Sequence, residues 1–437
     1  MDKVASAHVT GLFGSVSHSV DFSEDHAVTI IAGPNGCGKT HLLRLIYAIT
    51  AYDLNSLART PFNTLELNLR SKKRIKLKKT TTEEGVVTFE FSGKDVRGRP
   101  YSPYKFPYSE VADERELPPW ITQTMDGTWY DARAERVVTA DFIRRRYGVS
   151  IETHDTRIPQ QFSWLRHFFS GSSAIFIDTQ RLDAGPLRKS PQDSTMRRTG
   201  DTAPVASRIS QYMEQIKAQI TEARRSSLAA SQDADQSFAE RVLEKARTTI
   251  KEKDLKDRYQ KIADQQAELH ENGLSAQLMA VAFPDSRTNP TERRILNVFL
   301  DDWEKRLTPL LPINGKLKAL RKIVEEKFVG KEMLLDPRGG VRFYSKKTKT
   351  PLRVSSLSSG EQHLLAVFTL LLFSADSGSL VLIDEPEISM HAAWKHDFLS
   401  DISEVADIND LQIVLATHSS SIINGHWELV QEIGVAE

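Results

Sequence analysis

A glycine-rich segment near the amino terminus has the residue types and spacing of a phosphate-binding loop. It reads Gly-Pro-Asn-Gly-Cys-Gly-Lys-Thr over residues 33–40, after the apolar run 28–32 and before the helix-patterned run 41–48. Glycines allow successive backbone N–H groups to face one phosphate group, at the positive end of the helix that follows. Lys39 is expected to reach the β- and γ-phosphates, and the Thr40 hydroxyl to ligate Mg²⁺. The segment therefore predicts a site for ATP or GTP, and the alternative is a plain strand-to-helix turn. The predicted site residues are Gly33, Pro34, Asn35, Gly36, Cys37, Gly38, Lys39 and Thr40.

Two adjacent carboxylates, Asp384 and Glu385, directly follow the apolar run 380–383. Four consecutive apolar residues suit a strand buried on both faces of a parallel sheet, and ligands bind beyond the carboxyl ends of such strands. Asp384 is therefore expected to complete the Mg²⁺ shell opposite Thr40. Glu385 is expected to orient or deprotonate the attacking water. A capped helix start would not explain why both acids end a buried strand.

Two further strands are expected to end in functional side chains. The segment 174–182 begins with the apolar run 174–177 and ends in polar side chains that include Gln180, a candidate for contacting both the metal and the attacking water, with a surface turn as the alternative. The run 411–417 is followed by His418. A histidine after a strand is often structural, but with the other strand ends it is a candidate sensor of the γ-phosphate.

A second phosphate site is predicted within the segment Leu-Ser-Ser-Gly-Glu-Gln at residues 357–362, which opens an apolar helix. The N–H groups at that helix start and the Ser358 hydroxyl could bind phosphate. A serine-rich helix cap is the alternative. The predicted residues are Ser358, Ser359 and Gly360.

Composition restricts the classes of function. The chain has 58 lysine and arginine residues and 58 aspartate and glutamate residues. Any charged surface that attracts nucleic acid or a membrane must therefore be local. The single cysteine, Cys37, fits a reducing cytoplasm and excludes a cysteine-built zinc site within the chain. No signal peptide is recognised, and the longest apolar run, 364–373, is too short to span a bilayer. A cytoplasmic protein without a membrane partner is expected.

A strongly basic run lies at residues 70–79, where seven of ten residues are lysine or arginine. It could contact a phosphate backbone or an acidic protein. Alternatively, it is a solvated edge strand whose lysines prevent edge-to-edge pairing. The edge strand is favoured, because no aromatic residues that could stack on bases interrupt the run.

Taken together, these motifs resemble the ABC-type ATPases, specifically the non-transporter branch that includes the AAA15, Rad50, SMC, RecF and OLD families. The resemblance covers residues 1–50, 174–182 and 350–425. Two departures are Ser359, where the commonest signature has glycine, and the segment starting at His391, which lacks the usual proline.

The resemblance implies an α/β fold: an ABC-type P-loop ATPase head with an amino-terminal antiparallel β-subdomain and an inserted β-rich and helical region. It also implies that the phosphate loop of one subunit and Ser358–Gly360 of another clamp the same ATP, so that hydrolysis requires a dimer of heads. Gln180, Glu385 and His418 would then be the Q-loop glutamine, the catalytic glutamate and the switch histidine. The expected divisions are a core lobe at 1–60, a β-rich insertion at 61–173, the Q-loop strand at 174–184, a helical or coiled-coil hairpin at 205–272 with its turn at 229–235, a helical lobe at 285–330, and a signature and catalytic lobe at 331–437.

Within this branch the chain looks like stand-alone ATPases of bacterial anti-phage operons. The insertions do not match transporters, the helical region is too short for SMC or Rad50, and OLD nucleases carry a TOPRIM domain after the histidine motif, where this chain ends at Glu437. ATPase subunits of PARIS systems fit best, followed by Septu ATPases. The PARIS resemblance implies a homo-oligomer that sequesters a separately encoded TOPRIM-like toxin nuclease and releases it when a phage protein is sensed. The alternatives are a DNA-repair ATPase of RecF or Rad50 type, and a scaffold that binds ATP but rarely hydrolyses it.

Overall fold

The computed structural model describes residues 2–83, 86–108, 121–123, 129–131, 136–138, 158–170, 174–178, 205–244, 250–275, 282–284 and 286–434. The chain divides into two compact units. The first combines residues 1–201 and 376–437, and the second is residues 202–375. None of the described helices has an apolar stretch long enough to cross a lipid bilayer.

The strands of the first unit are β1 (Val4–Leu12), β2 (Val16–Asp21), β3 (Val28–Ala32), β4 (Thr64–Leu69), β5 (Arg74–Thr81), β6 (Val87–Lys94), β7 (Tyr104–Tyr108), β8 (Ile121–Gln123), β9 (Trp129–Asp131), β10 (Arg136–Val138) and β11 (Ala174–Asp178), continuing after the second unit with β15 (Leu380–Asp384), β16 (Gln412–Thr417) and β17 (Val430–Glu432). Its helices are α1 (Lys39–Thr50), α2 (Leu54–Arg59), α3 (Ser163–Ser170), α9 (Ala392–Asn409) and α10 (Ser420–Ile423). The second unit contains β12 (Lys331–Leu335), β13 (Val341–Ser345), β14 (Pro351–Leu352), α4 (Val205–Glu244), α5 (Glu252–Glu271), α6 (Pro290–Leu307), α7 (Leu311–Lys327) and α8 (Ser359–Thr369).

A five-stranded parallel sheet in the order β11-β15-β16-β3-β17 carries the candidate site. Every residue of β15 and β16 is buried, because neighbouring layers cover both faces of these strands. The carboxyl ends of parallel strands meet at one edge of a sheet. The loops after β3, β11, β15 and β16 therefore start from a common edge, as the four predicted strand ends require.

A six-stranded antiparallel sheet in the order β2-β1-β4-β5-β6-β7 forms the second sheet of this unit. Its inner face and helix α1 share one hydrophobic core, which includes Ile75 and Leu77 of β5. The prediction that residues 70–79 form an edge strand is wrong, since β5 pairs with β4 on one side and with β6 on the other. The alternation of lysines with Ile75 and Leu77 arises because one face of an interior strand is buried and the other is polar.

Lys79 at the end of the basic run stabilises helix α2. Its Nζ donates to the carbonyl oxygens of Thr60 at 2.7 Å and Leu57 at 3.2 Å, at the carboxyl end of that helix. Cations are favoured there because the last carbonyl groups of a helix have no partner within it. Burial lowers the pKa of Lys79. This lysine therefore has a structural role, unlike the exposed Lys76 and Lys78.

The long helices of the second unit differ from the predicted hairpin. A turn was expected at residues 229–235, but α4 continues through this segment to Glu244. The segment contains alanine, serine, glutamine and aspartate but no glycine or proline, so nothing in it ends a helix. In addition, α4 and α5 pack chiefly against α6.

Ion pairs fix that three-helix arrangement. Arg241 of α4 binds the carboxylate of Asp302 on α6 with two nitrogens, and its Nη2 lies 2.8 Å from Oδ2. Arg258 of α5 reaches Glu304 and Asp301 on the same helix at 2.6 and 2.7 Å. Bidentate guanidinium–carboxylate pairs are geometrically specific, so they set which helices are neighbours. After α7 the chain forms a β-hairpin, in which β12 pairs antiparallel with β13.

Candidate functional site

The loop between β3 and α1 leaves the amino end of the helix open to a ligand. Gly36 and Gly38 have φ values of 85° and 98°, a region that favours glycine. Helix α1 has no side-chain cap at Gly38 and no acid in its first turn. Its first N–H groups and its positive dipole end are therefore available to an anion such as phosphate.

Lys39 is buried against the loop that precedes it. Only 5% of the residue is exposed, and Nζ donates to the carbonyl oxygens of Gly33 at 2.8 Å and Pro34 at 3.0 Å. An ammonium group has three donors, so two hold the side chain over the loop and the third can serve a phosphate. This position agrees with the predicted phosphate contact of Lys39.

Gly33 lies where a side chain would collide with the end of β17. A Cβ atom placed there would be 2.4 Å from the carbonyl oxygen of Ile433 and 2.9 Å from the sulfur of Cys37. Gly33→Ala is therefore expected to lower the free energy of unfolding by about 1–3 kcal/mol, the usual penalty for overpacking, and to weaken ATP binding by displacing the loop. Urea unfolding and nucleotide titration measure both effects. Gly434→Ala, where a Cβ meets nothing within 4 Å, is the control, and an equal loss in both variants would contradict the expectation.

Two aromatic side chains next to the loop were not among the predicted site residues. The buried ring of His18 on β2 lies with Nε2 2.7 Å from the carbonyl oxygen of Cys37, which fixes the orientation of the peptide before Gly38. Phe13 is 49% exposed, although phenylalanine is usually found in the hydrophobic core. Its ring contacts the ring of His41 edge-on, with 4.8 Å between the two ring centroids. The strand pattern gave no sign of either contact, because both depend on how the β1–β2 hairpin folds over the loop.

Thr40 and Asp384 lie together as the sequence predicted. The Thr40 hydroxyl donates to Oδ1 of Asp384 at 3.0 Å. Asp178, the last residue of β11, is in register with Asp384 on the neighbouring strand and is itself buried. Arg44 on α1 binds Asp178 at 3.1 Å. The pair of Asp178 and Arg44 is an addition to the predicted site, and only the register of strands distant in sequence reveals it.

Burial raises the pKa of Asp384 to about 6. The hydrogen bond from Thr40 opposes this shift, the nearby carboxylates of Glu385 and Asp178 add to it, and Arg44 reduces it. A carboxylate in such a place is stabilised by a cation. Carboxylate and hydroxyl oxygens are also the hard ligands that Mg²⁺ prefers, so Thr40 and Asp384 fit the predicted magnesium site.

The raised pKa predicts how Asp384 affects stability. The folded protein holds the proton of this carboxyl group more tightly than the unfolded chain does. The stability gained in this way is fully present below the ordinary pKa of 3.8 and is lost as the pH rises through about 6. Without Mg²⁺, the free energy of unfolding of Asp384→Asn should therefore increase relative to that of wild type as the pH is raised from 4 to 7.5, by up to about 3 kcal/mol. Urea unfolding at both pH values measures the gain. The exposed Asp407→Asn is the control for loss of one negative charge, and a pH-independent difference for Asp384→Asn would contradict the prediction.

Glu385 and His418 lie at neighbouring strand ends. Glu385 has a φ of 45°, and its N–H donates to the carbonyl oxygen of Ala416 at 2.8 Å, which ties the turn after β15 to β16. This left-handed conformation is uncommon outside glycine and is held here by the neighbouring strand. Nδ1 of His418 lies 3.8 Å from Oε1 of Glu385. The structure thus brings the predicted general base and the predicted sensor together.

A third acid at this edge, Glu387, was not predicted. It lies in the 3₁₀ turn Pro386–Ser389 and is only 5% exposed. Its Oε1 accepts hydrogen bonds from the Thr417 hydroxyl at 2.7 Å and from the His418 N–H at 3.2 Å, and it lies 3.2 Å from Nδ1 of His418. The sequence signal was weak, since an acid two residues beyond Glu385 can point in any direction once the chain turns at the proline.

The remaining predicted residues are in part outside this region. Gln180 lies outside the described residues, two positions beyond the end of β11. In the second unit, Ser358 caps helix α8: its Oγ accepts from the N–H of Glu361 at 3.3 Å, and Oε2 of Glu361 accepts from the N–H of Ser358 at 2.8 Å. The Ser358 hydroxyl hydrogen is still available to donate, and both Ser358 and Ser359 are exposed.

Comparison with known proteins identifies the family. No curated protein is significantly similar to the chain. Among solved structures, the chain is similar to the Smc head domain of Pyrococcus furiosus crystallised with the C-terminal domain of ScpA, at 14% identity and a TM-score of 0.37, with 100% of this chain and 94% of that chain covered. It is also similar to the SMC head domain of Thermotoga maritima, at 11% identity and a TM-score of 0.33, with 99% and 95% covered. The family model described as "AAA domain, putative AbiEii toxin, Type IV TA system" matches residues 28–424, and the chain therefore belongs to this family of AAA-domain proteins, with the α/β fold of an ABC-type P-loop ATPase.

Proposed function

We propose that this protein is an oligomeric, ATP-hydrolysing switch in a bacterial anti-phage defence system. The observation that supports hydrolysis most directly is the hydrogen bond of 3.0 Å from the Thr40 hydroxyl to Oδ1 of Asp384, beside the phosphate loop. Glu385, the proposed base, is the next residue after Asp384. The family description, which names a putative toxin and a toxin–antitoxin system, supports the defence context.

Each residue at the edge of the parallel sheet has a part in the proposed reaction. Lys39 and the N–H groups at the start of α1 bind the β- and γ-phosphates, and Thr40 with Asp384 would hold Mg²⁺. When bound, the metal supplies positive charge that offsets the charge on the phosphate oxygens. Glu385 accepts a proton from the water that attacks the γ-phosphorus. The bond from this phosphorus to the β,γ-bridging oxygen breaks and gives ADP and phosphate, and His418 contacts the γ-phosphate.

The proposed site is completed by a second copy of the chain. Ser358 and Ser359 are exposed at the amino end of α8, where the Ser358 hydroxyl can donate to a phosphate. The dipole of α8 favours an anion at the same end. In the proposed dimer, these residues and Gly360 of one copy contact the γ-phosphate of ATP held by the loop of the other. Gln180 contacts the metal and the attacking water in this proposal.

The proposed partner is a separately encoded TOPRIM-like toxin nuclease, as in PARIS systems. The ATPase oligomer holds the toxin inactive and releases it in an ATP-dependent step when a phage protein is sensed. Co-expression with the product of the neighbouring gene tests this directly. We expect a complex that survives purification and dissociates when trigger and ATP are both present, but not when either is omitted. A chain that purifies alone and whose ATPase activity requires DNA would contradict the defence function.

A DNA-repair ATPase is the second candidate, because Lys76 and Lys78 point from the polar face of the six-stranded sheet and are exposed. DNA contacts of this kind weaken steeply as salt rises. ATP turnover that is stimulated by DNA, and loses this stimulation between about 50 and 200 mM salt, would favour repair. The double variant Lys76→Ala and Lys78→Ala should then reduce the stimulation without changing turnover in the absence of DNA.

A further inference from the structure

We propose that Glu387 is a positioning residue that holds the imidazole of His418 for the nucleotide, an inference that rests on the proposed ATP hydrolysis. All contacts described for its carboxylate converge on one oxygen. Oε1 lies 2.7 Å from the Thr417 hydroxyl, 3.2 Å from the backbone nitrogen of His418 and 3.2 Å from Nδ1 of the same residue. Glu387 thus accepts a hydrogen bond from the backbone of the residue that follows β16 and lies close to the imidazole of that residue.

The surroundings of Nδ1 determine which ring nitrogen carries hydrogen. Nδ1 faces two carboxylate oxygens, Oε1 of Glu387 at 3.2 Å and Oε1 of Glu385 at 3.8 Å. Because carboxylates accept hydrogen bonds, two such oxygens on this side of the ring favour a hydrogen on Nδ1. The other nitrogen, Nε2, is then left for the nucleotide. The same partner that sets the tautomer also restricts rotation of the ring.

The two distances also divide the acids between two tasks. Of the two carboxylate oxygens, Oε1 of Glu387 is the nearer to Nδ1 and the one within hydrogen-bonding distance of it. The carboxylate of Glu385 is therefore not needed to orient the imidazole and can act on the attacking water. Without Glu387, the histidine would turn toward Glu385, the remaining acid within reach of Nδ1.

The burial of Glu387 indicates that the arrangement is not explained by stability. The side chain is 4% exposed, and Oε2 has no hydrogen-bond partner among the residues that the structure describes. A buried acceptor left without a partner destabilises the folded state. A carboxylate kept at such a place, two residues after Glu385, is typical of a site that favours geometry for a reaction over stability.

The test is a double-variant cycle with steady-state ATP turnover. Glu387→Gln should lower kcat by about 10- to 100-fold, the range known for losing an acid that orients a metal-binding histidine, with KM for ATP nearly unchanged. His418→Ala should lower kcat at least as much. Because Glu387 acts through His418, adding Glu387→Gln to His418→Ala should cause no further loss. Asp401→Asn, at an equally buried acid on α9, is the control and should keep wild-type kcat.

Several outcomes would overturn the proposal. One is wild-type kcat in Glu387→Gln, another is a further loss of the same factor in the His418→Ala background, and a third is a raised KM at constant kcat. If Glu387→Gln does not fold, Thr417→Val is used instead, because it removes the hydroxyl that anchors Oε1. Thr417→Val should lower kcat by a smaller factor, and it should cause no loss when added to His418→Ala. A loss that persists in the His418→Ala background would count against positioning. Wild-type protein without turnover would instead refute ATP hydrolysis itself, which separates the two failures.

Discussion

Glu385→Gln is expected to lower ATP turnover by about 10²- to 10⁴-fold, the range for loss of a general base, while ATP binding is retained. Gln keeps the size and hydrogen-bonding capacity of the side chain but cannot take a proton at neutral pH. The left-handed turn at Glu385 and its backbone bond to Ala416 do not involve the carboxylate, so the fold should be unchanged. ATP is then bound but not consumed, and oligomers held together by ATP should accumulate.

Turnover and particle mass together measure this result. Phosphate release gives kcat, and mass photometry with ATP or ADP gives the oligomeric state. The exposed Glu432→Gln is the control for loss of one carboxylate in the same unit. If Glu385→Gln hydrolyses ATP like wild type, Glu385 is not the base. If wild type and Glu385→Gln hydrolyse ATP equally slowly and act equally in phage defence, the protein is a scaffold that binds ATP.

Lys39→Ala is expected to weaken ATP binding by roughly 10- to 150-fold, because a hydrogen bond to a charged group contributes about 1.5–3 kcal/mol. The substitution also leaves the carbonyl groups of Gly33 and Pro34 without the donor that holds them. The loop then loses both its charge and part of its fixed shape. Titration with a fluorescent ATP analogue measures the loss, with the exposed Lys94→Ala as control. Equal affinity in Lys39→Ala and wild type would place the phosphates elsewhere.

The local parts of the site were predictable from sequence. Glycines at fixed spacing before Lys39 and Thr40 determine the backbone of the loop almost by themselves. Buried apolar strands that end in Asp384 or His418 place those side chains at one edge, because parallel strands share their carboxyl edge. The contact of Thr40 with Asp384 confirms that geometry. The roles of these residues in binding and catalysis stay predictions.

Contacts that depend on strand register or on the direction of a turn were not predictable. Asp178 becomes part of the site only because β11 pairs with β15, which is remote in sequence. Glu387 depends on the 3₁₀ turn after Pro386. The edge-strand prediction failed because lysines on the polar face of an interior strand look the same as lysines on an edge. The predicted turn at 229–235 failed because a polar segment without glycine or proline continues a helix.

The central claim is that one ATP is held by the phosphate loop of one copy and the signature segment of another, and a mixing experiment tests it most directly. Lys39→Ala lacks a working loop, and Ser358→Arg carries a bulky cation at the exposed cap of α8. Each variant alone should be inactive. Their mixture should recover up to about a quarter of wild-type turnover, since random pairing makes half of the dimers mixed and each mixed dimer has one intact site. A mixture as inactive as its parts, with both variants folded and Ser358→Arg still binding ATP, would contradict the shared site.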